Sequence, residues 1–306
     1  MKVVVAGGTG FIGKRLVTRL VEDGHDCTVL IRSPHSPPAD FFPNEVRLSP
    51  YASMPNAADA VINLGGETVV GRWTKAKKDR ILDSRIGITR DLVKWMGGLK
   101  KKPSVFLSGS AVGYYGDRGS DTITEDAAPD PKKGFRAQVC IMWEQEALEA
   151  RRMDIRVVTL RTGNVLDPSG GMLGKMIPSL RIAPFILPYA RDAFLPWISL
   201  RDTVGIVSFV LKTESVSGPV NLVAPTPATI GEFFNDLGSI LHKKVVGTLP
   251  RWPLKLVLGE FSKALTDSQR VIPEKIVYDG YAFQDIELGE YLRQVVILPE
   301  KKKRSA

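Results

Sequence analysis

Near its start the chain reads Val3-Val4-Val5-Ala6-Gly7-Gly8-Thr9-Gly10-Phe11-Ile12-Gly13, an apolar strand-forming run, glycines spaced G-x-x-G-x-x-G, and then an amphipathic segment. A strand that turns through such a loop into a helix restricts the fold to few architectures. Gly7 suits the tight turn, Gly10 lets backbone approach a bound group, and Gly13 permits close helix packing. The helix N-terminus, with Thr9, Phe11 and Ile12 around it, offers free N–H groups to an anion. The context points to the pyrophosphate of a dinucleotide; a glycine turn without a ligand is the plain alternative.

Downstream, short β-rich runs alternate with longer helical patterns. The strand candidates are Lys2 to Ala6, Asp26 to Ile31, Ala60 to Leu64, Ser104 to Leu107 and Arg156 to Leu160, and the helical ones lie near Phe11 to Glu22, Lys75 to Met96 and Phe135 to Arg151. This alternation predicts an α/β fold, a doubly wound parallel sheet with helical crossovers. After Leu160 the texture turns Gly/Pro-rich, which marks a smaller C-terminal substrate lobe. Pro219 to Val223 reads as a returning strand, and Thr229 as the N-cap of a helix running to about His242. The expected division is 1–165 for the dinucleotide-binding domain, with its sheet completed within 200–225. The lobe takes 166–199 and 226–300, and 301–306 is a basic tail.

With 306 residues and 43% apolar content the chain can close a sizeable core, which excludes disordered and disulfide-stapled classes. Two cysteines, Cys27 and Cys140, and three histidines leave no metal-ligand cluster and suggest a reducing, cytoplasmic setting. No run approaches the length of a membrane span, and the opening residues read as a first strand rather than a signal peptide. The net charge of +9 raises nucleic acid as a partner. Much of it, however, sits between Arg72 and Lys102 and in the tail, without aromatic interleaving or zinc-finger spacing. The expected partner is a small-molecule substrate, with no nucleic acid and no membrane; a homodimer is left open.

The second strand ends in Ile31-Arg32-Ser33 where an NAD site would carry an acidic residue for the ribose hydroxyls. Arg32 can instead make charge-assisted bonds to a 2′-phosphate, with Ser33 as a further donor. NADP is therefore preferred to NAD, which stays open, as does a solvated Arg32.

The glycine loop, Asn63-Leu64-Gly65-Gly66, Ser108-Gly109-Ser110 and Gly113-Tyr114-Tyr115-Gly116 together resemble the extended and atypical short-chain dehydrogenase/reductases, the NAD-dependent epimerase/dehydratase superfamily. Gly71-Arg72-Trp73-Thr74, Ser84-Arg85, Trp143-Glu144, Arg161 to Leu166, Pro196-Trp197-Ile198 and Ser268 to Lys275 narrow the resemblance to its "epimerase family protein" branch, which ends in a family-specific C-terminal domain. The resemblance covers almost the whole chain. It implies a Rossmann-like domain binding NADP, with Asn63, Leu64, Gly65 and Ser108 at the cofactor.

The pattern breaks at the catalytic pair. The family's Tyr-x-x-x-Lys, which moves a proton while hydride moves at the nicotinamide, is absent. Its helix here is Gly134 to Glu144, with Arg136 in the tyrosine slot and Cys140 in the lysine slot. Three readings stay open. One uses another hydroxyl among Ser108, Ser110, Tyr114 and Tyr115, with Ser110 orienting the reacting oxygen and Tyr115 or water handling the proton. The second uses Cys140 as acid or nucleophile, which needs a depressed pKa beside a cation. The third is a noncatalytic NADP(H)-binding regulatory or interaction protein. For substrate, Arg161, Asn164 and Trp197 are the leading candidates, with a plain core role for Trp197 left open, and Arg72 and Arg85 are further ones for anionic groups, against the alternative of a solvated helix face. The functional expectation is an NADP-binding oxidoreductase or epimerase acting on a small polar or sugar-nucleotide-like substrate.

Overall fold

Parallel strands joined by helices are covered on both faces, so their side chains must be apolar at successive positions. That is how the central sheet is built. The computed structural model describes residues 1–32, 37–38, 40–129 and 134–297; Ser33 and the tail 301–306 lie outside the described residues. Seven strands, β1 (Lys2–Ala6), β2 (Asp26–Ile31), β3 (Arg47–Pro50), β4 (Ala60–Asn63), β5 (Val105–Ala111), β6 (Arg156–Thr162) and β7 (Gly218–Leu222), form one sheet. Their spatial order is β7-β6-β5-β4-β1-β2-β3, with every neighbouring pair parallel.

The helices are α1 (Phe11–Glu22), α2 (Lys75–Leu82), α3 (Ile88–Gly98), α4 (Phe135–Leu148), α5 (Gly171–Ile182), α6 (Leu200–Lys212) and α7 (Ile230–Leu241). Val3, Val5, Ile62 and Leu107 pack on one face of the sheet with Leu16, Val17 and Leu20 of α1 and Val204, Val207 and Leu211 of α6. Val4, Val61 and Phe106 pack on the other with Leu92 and Met96 of α3 and Ala147 of α4. Each such buried aliphatic or aromatic side chain contributes about 1.5–3 kcal/mol.

Two elements differ from the sequence expectation. β3 is an edge strand with largely exposed residues and a terminal Pro50, so it carries no apolar period to announce it. The single helix expected over Lys75 to Met96 is interrupted by a π-helical turn, Asp83–Gly87, between α2 and α3.

The second lobe has its own core, in which Leu166, Leu173, Trp197, Phe233, Leu237, Tyr291 and Leu292 pack together. Thr229 caps α7 through a reciprocal capping box with Glu232, and His242 ends it in a left-handed conformation. Asp202, buried on α6, ties this lobe to the sheet. Its carboxylate accepts the Tyr281 hydroxyl at 2.9 Å and the backbone N–H groups of Gln284 and Asp285 at 3.0 and 2.8 Å. Elsewhere in the same segment, Gln269 Nε2 donates to the carbonyls of Val112 and Gly116 at 2.7 and 2.8 Å. The C-terminal segment is thus pinned onto the turn that follows β5. No helix among the described residues is long and apolar enough to cross a membrane.

Candidate functional site

The glycine loop lies at the carboxyl end of β1, where doubly wound sheets bind ligands. Gly7 has φ +77°, and a Cβ on it would fall 2.6 Å from the backbone of Leu64 and Gly65. A Cβ on Gly13 would fall 2.2 Å from the Gly7 carbonyl oxygen. Both glycines are demanded by the protein's own packing. Gly10 differs: an added Cβ meets only the Gly7 oxygen, at 3.2 Å, and the residue is exposed. It is the N-cap of α1, and no side chain caps the helix there. An open glycine in front of an uncapped helix fits an anionic group, and the cradle fits a dinucleotide pyrophosphate.

Thr9 is exposed beside Gly10. The side chains of Phe11 and Ile12 join the main core from its margin, and the Phe11 ring lies against Gly170 and Gly171, where added Cβ atoms would come within 2.5 and 3.0 Å of it. What these two residues can offer a ligand is backbone N–H. Arg32 is exposed at the end of β2.

Across the loop, Asn63 ends β4 fully buried. Its Oδ1 accepts the Gly65 N–H at 3.0 Å, and its Nδ2 donates to Thr89 Oγ1 at 2.9 Å, so the side chain shapes the turn that faces Gly7. Leu64 N–H donates to the Ala6 carbonyl at 2.9 Å. Ser108, in register with Asn63 on β5, is buried and has no open surface.

The register Ser110↔Arg161↔Asn221 aligns three polar residues across β5, β6 and β7. Arg161 donates from Nε and Nη2 to the two Glu144 carboxylate oxygens, each at 2.9 Å, and from Nη1 to the Tyr115 hydroxyl at 2.9 Å and the Glu125 carbonyl at 3.0 Å. Ser110 donates to Glu144 at 2.6 Å, and Tyr115 to Asn221 Oδ1 at 2.6 Å. The Arg161 guanidinium lies 3.6 Å above the Tyr114 ring, a cation–π contact. Burial pushes the Tyr115 hydroxyl up to about 12, against the opposing pull of Arg161, and burial also raises Glu125.

This geometry corrects part of the sequence reading. Tyr115 is 0% exposed and Arg161 is 4% exposed, with all three guanidinium nitrogens bonded to protein. Neither presents itself to a substrate, because both are consumed by the buried Glu144 carboxylate and Asn221. Trp197, 1% exposed, stacks on Tyr291 in the second core and donates to the Thr226 carbonyl at 3.2 Å. Asn164 is half-buried, its Nδ2 donating to the Pro196 carbonyl at 3.3 Å. The three substrate candidates therefore share no open surface. Tyr114 is the partly exposed residue among the four hydroxyl candidates.

At the catalytic-pair slots, Arg136 is ion-paired with Asp267 of the C-terminal segment. Cys140 is buried, and burial pushes its thiol up to about 11. A buried thiol that is neutral near pH 7 does not meet the requirement for a nucleophile.

A profile of the NAD dependent epimerase/dehydratase family matches residues 3–222. The chain belongs to this family. Residues 249–295, which contain the Gln269 clamp and Tyr281, match a second profile, a domain of unknown function (DUF1731). Among family relatives, the chloroplastic SDR39U1 homolog of Arabidopsis thaliana, an epimerase family protein, is 34% identical over 97% of this chain and 87% of its own length. YfhF of Bacillus subtilis is 30% identical over 97% and 98%. The crystal structure of human SDR39U1 with NADPH superposes with a TM-score of 0.86 at 29% identity, covering 96% of this chain and 99% of that one. Thermus thermophilus UDP-glucose 4-epimerase, in complex with NAD, shares the fold with a TM-score of 0.70 at 17% identity.

Proposed function

We propose that this family member binds NADP(H) in the cleft between the glycine loop and the Asn63–Gly66 turn, and acts as an oxidoreductase or epimerase on a small polar or sugar-nucleotide-like substrate. The observation that carries the reading is the uncapped α1 N-terminus behind an open Gly10. The bound nicotinamide would supply a hydride donor or acceptor. Phe11 and Ile12 backbone N–H groups would hold the pyrophosphate, and Arg32 the 2′-phosphate. The NADPH found with human SDR39U1 supports the preference for the phosphorylated cofactor.

In this reading Ser110 and Tyr115 are positioning residues, fixing the Glu144–Arg161 pair behind the site rather than touching substrate. Tyr114, packed on Arg161, is the hydroxyl best exposed for proton exchange. The partner is a small molecule rather than nucleic acid or membrane. The two free cysteines fit a reducing, cytoplasmic compartment.

A second reading, a noncatalytic NADP(H)-responsive protein, is favoured by the tyrosine and lysine slots, which hold an ion-paired Arg136 and a buried Cys140. Calorimetric titration with NADP⁺, NADPH, NAD⁺ and NADH tests the shared part. Preference for the phosphorylated pair supports both readings, and binding of none overturns both. Nicotinamide absorbance change with carbonyl or sugar-nucleotide substrates then separates them.

A further inference from the structure

Arg85 stands in the middle of the π-helical turn Asp83–Gly87, a rare geometry that recurs at functional sites. Its backbone is fixed from the dinucleotide side of the molecule. Thr89 Oγ1 donates to the Arg85 carbonyl at 2.6 Å and accepts from Asn63 Nδ2 and Trp143 Nε1, each at 2.9 Å. That hydroxyl spends its one proton and both lone pairs on placing the turn against the end of β4. The Arg85 guanidinium then lies 5.2 Å from the Trp143 ring centroid and beside Gly66. A Cβ on Gly66 would be 3.0 Å from its Cζ and 3.1 Å from Nη2, so glycine is what lets the cation approach the backbone.

The donors of this guanidinium are incompletely used. Nη1 reaches the Glu67 carbonyl at 3.0 Å and, more weakly, the Ile81 carbonyl and Ser84 Oγ, each at 3.4 Å. Among the described residues, neither Nε nor Nη2 has a hydrogen-bond acceptor, and no carboxylate lies within 4.0 Å. Arg136 and Arg161, by contrast, are paired, with Asp267 and Glu144. Burial pulls the Arg85 pKa below the ordinary arginine value, the sign expected of a cation short of carboxylate partners.

We infer that Arg85 is an oxyanion subsite: Nε and Nη2, held rigid by Trp143 and Gly66, bind a carboxylate or phosphate on the substrate. A planar fork with two adjacent N–H groups is suited to two-point recognition of such groups. The inference rests on the proposed function and narrows its substrate class to oxyanion-bearing molecules.

The test is titration of NADP⁺-saturated protein with oxalate and with inorganic phosphate, in wild type, Arg85→Gln and Arg85→Lys. At least one anion binds wild type, and which one distinguishes carboxylate from phosphate recognition. Arg85→Gln weakens that binding by about tenfold or more, and NADP⁺ affinity stays within about twofold. Arg85→Lys, which keeps the charge but loses the planar two-point fork, acts in the same direction and serves if Arg85→Gln fails to fold. Equal anion affinity in wild type and variants, no anion binding in wild type, or loss of NADP⁺ affinity in Arg85→Gln overturns the inference. If wild type takes no NADP⁺, the same titrations on the free protein decide Arg85 separately, because the cofactor reading alone has then failed.

Discussion

Glu144 holds Arg161 through both carboxylate oxygens at 2.9 Å, and the two side chains are 8% and 4% exposed. Such a pair resists loss of one member far more than exchange of both, since a lone buried charge keeps its desolvation cost without its partner. Glu144→Gln should therefore destabilise the protein by about 3–5 kcal/mol. Glu144→Gln combined with Arg161→Met should be less destabilised than Glu144→Gln alone, and urea denaturation of both variants reads the difference.

The glycine loop separates folding from binding. Gly13→Ala sets a methyl 2.2 Å from the Gly7 carbonyl oxygen, so its expected effect is loss of stability in thermal denaturation. Gly10→Leu sets its Cβ against a single atom, the Gly7 carbonyl oxygen at 3.2 Å, and should keep the melting temperature within a few degrees, on the order of 1 kcal/mol. The same variant should show no detectable NADP(H) binding by calorimetry.

Arg32→Ala should weaken NADP⁺ by about tenfold or more and leave NAD⁺ within about twofold, since only the former carries the 2′-phosphate. Equal losses for the two cofactors in parallel titrations would refute the assignment.

Asp23, at the end of α1, accepts hydrogen bonds from Ser208 at 2.5 Å and Lys212 at 2.8 Å on α6. Burial raises its pKa, but the bonds from Lys212, Ser208 and Arg19 outweigh that and hold the carboxyl well below the usual range. A depressed folded pKa stabilises the protein above the unfolded value of about 3.9, and the gain is lost as pH falls through the folded value. Asp23→Asn should cost on the order of 1–2 kcal/mol at pH 7. The gap from wild type should narrow below about pH 4, and denaturation at pH 7 and pH 3 measures it.

Much of the fold was legible because its signals are local. The apolar run of Val3 to Ala6, the glycine spacing and the apolar stripe of Phe11 to Glu22 each occupy one contiguous stretch, and Thr229 with Glu232 is a four-residue signature. The polar network was not legible in that way. Ser110, Glu144, Arg161 and Asn221 meet only through the registers of three parallel strands and a crossover helix, so no short-range period reveals that Arg161 and Tyr115 face inward. Trp197 posed the same problem, since its partner Tyr291 arrives from the far end of the chain. The break at Asp83–Gly87 escaped because its residues are as compatible with an ordinary α-helix as with a wider turn.

The Gln269 contacts to Val112 and Gly116 have a consequence for the order in which the protein matures. Asn221, which receives the Tyr115 hydroxyl bond, is itself held by the Ile272 carbonyl at 2.9 Å. A nascent chain can pair β1 to β7 once Leu222 has left the ribosome, yet the wall behind the site waits for about fifty more residues. The contacts that hold Val112, Gly116 and Asn221 therefore form only after the sheet strands are made, and a chain cut short before Gln269 would carry the sheet without them.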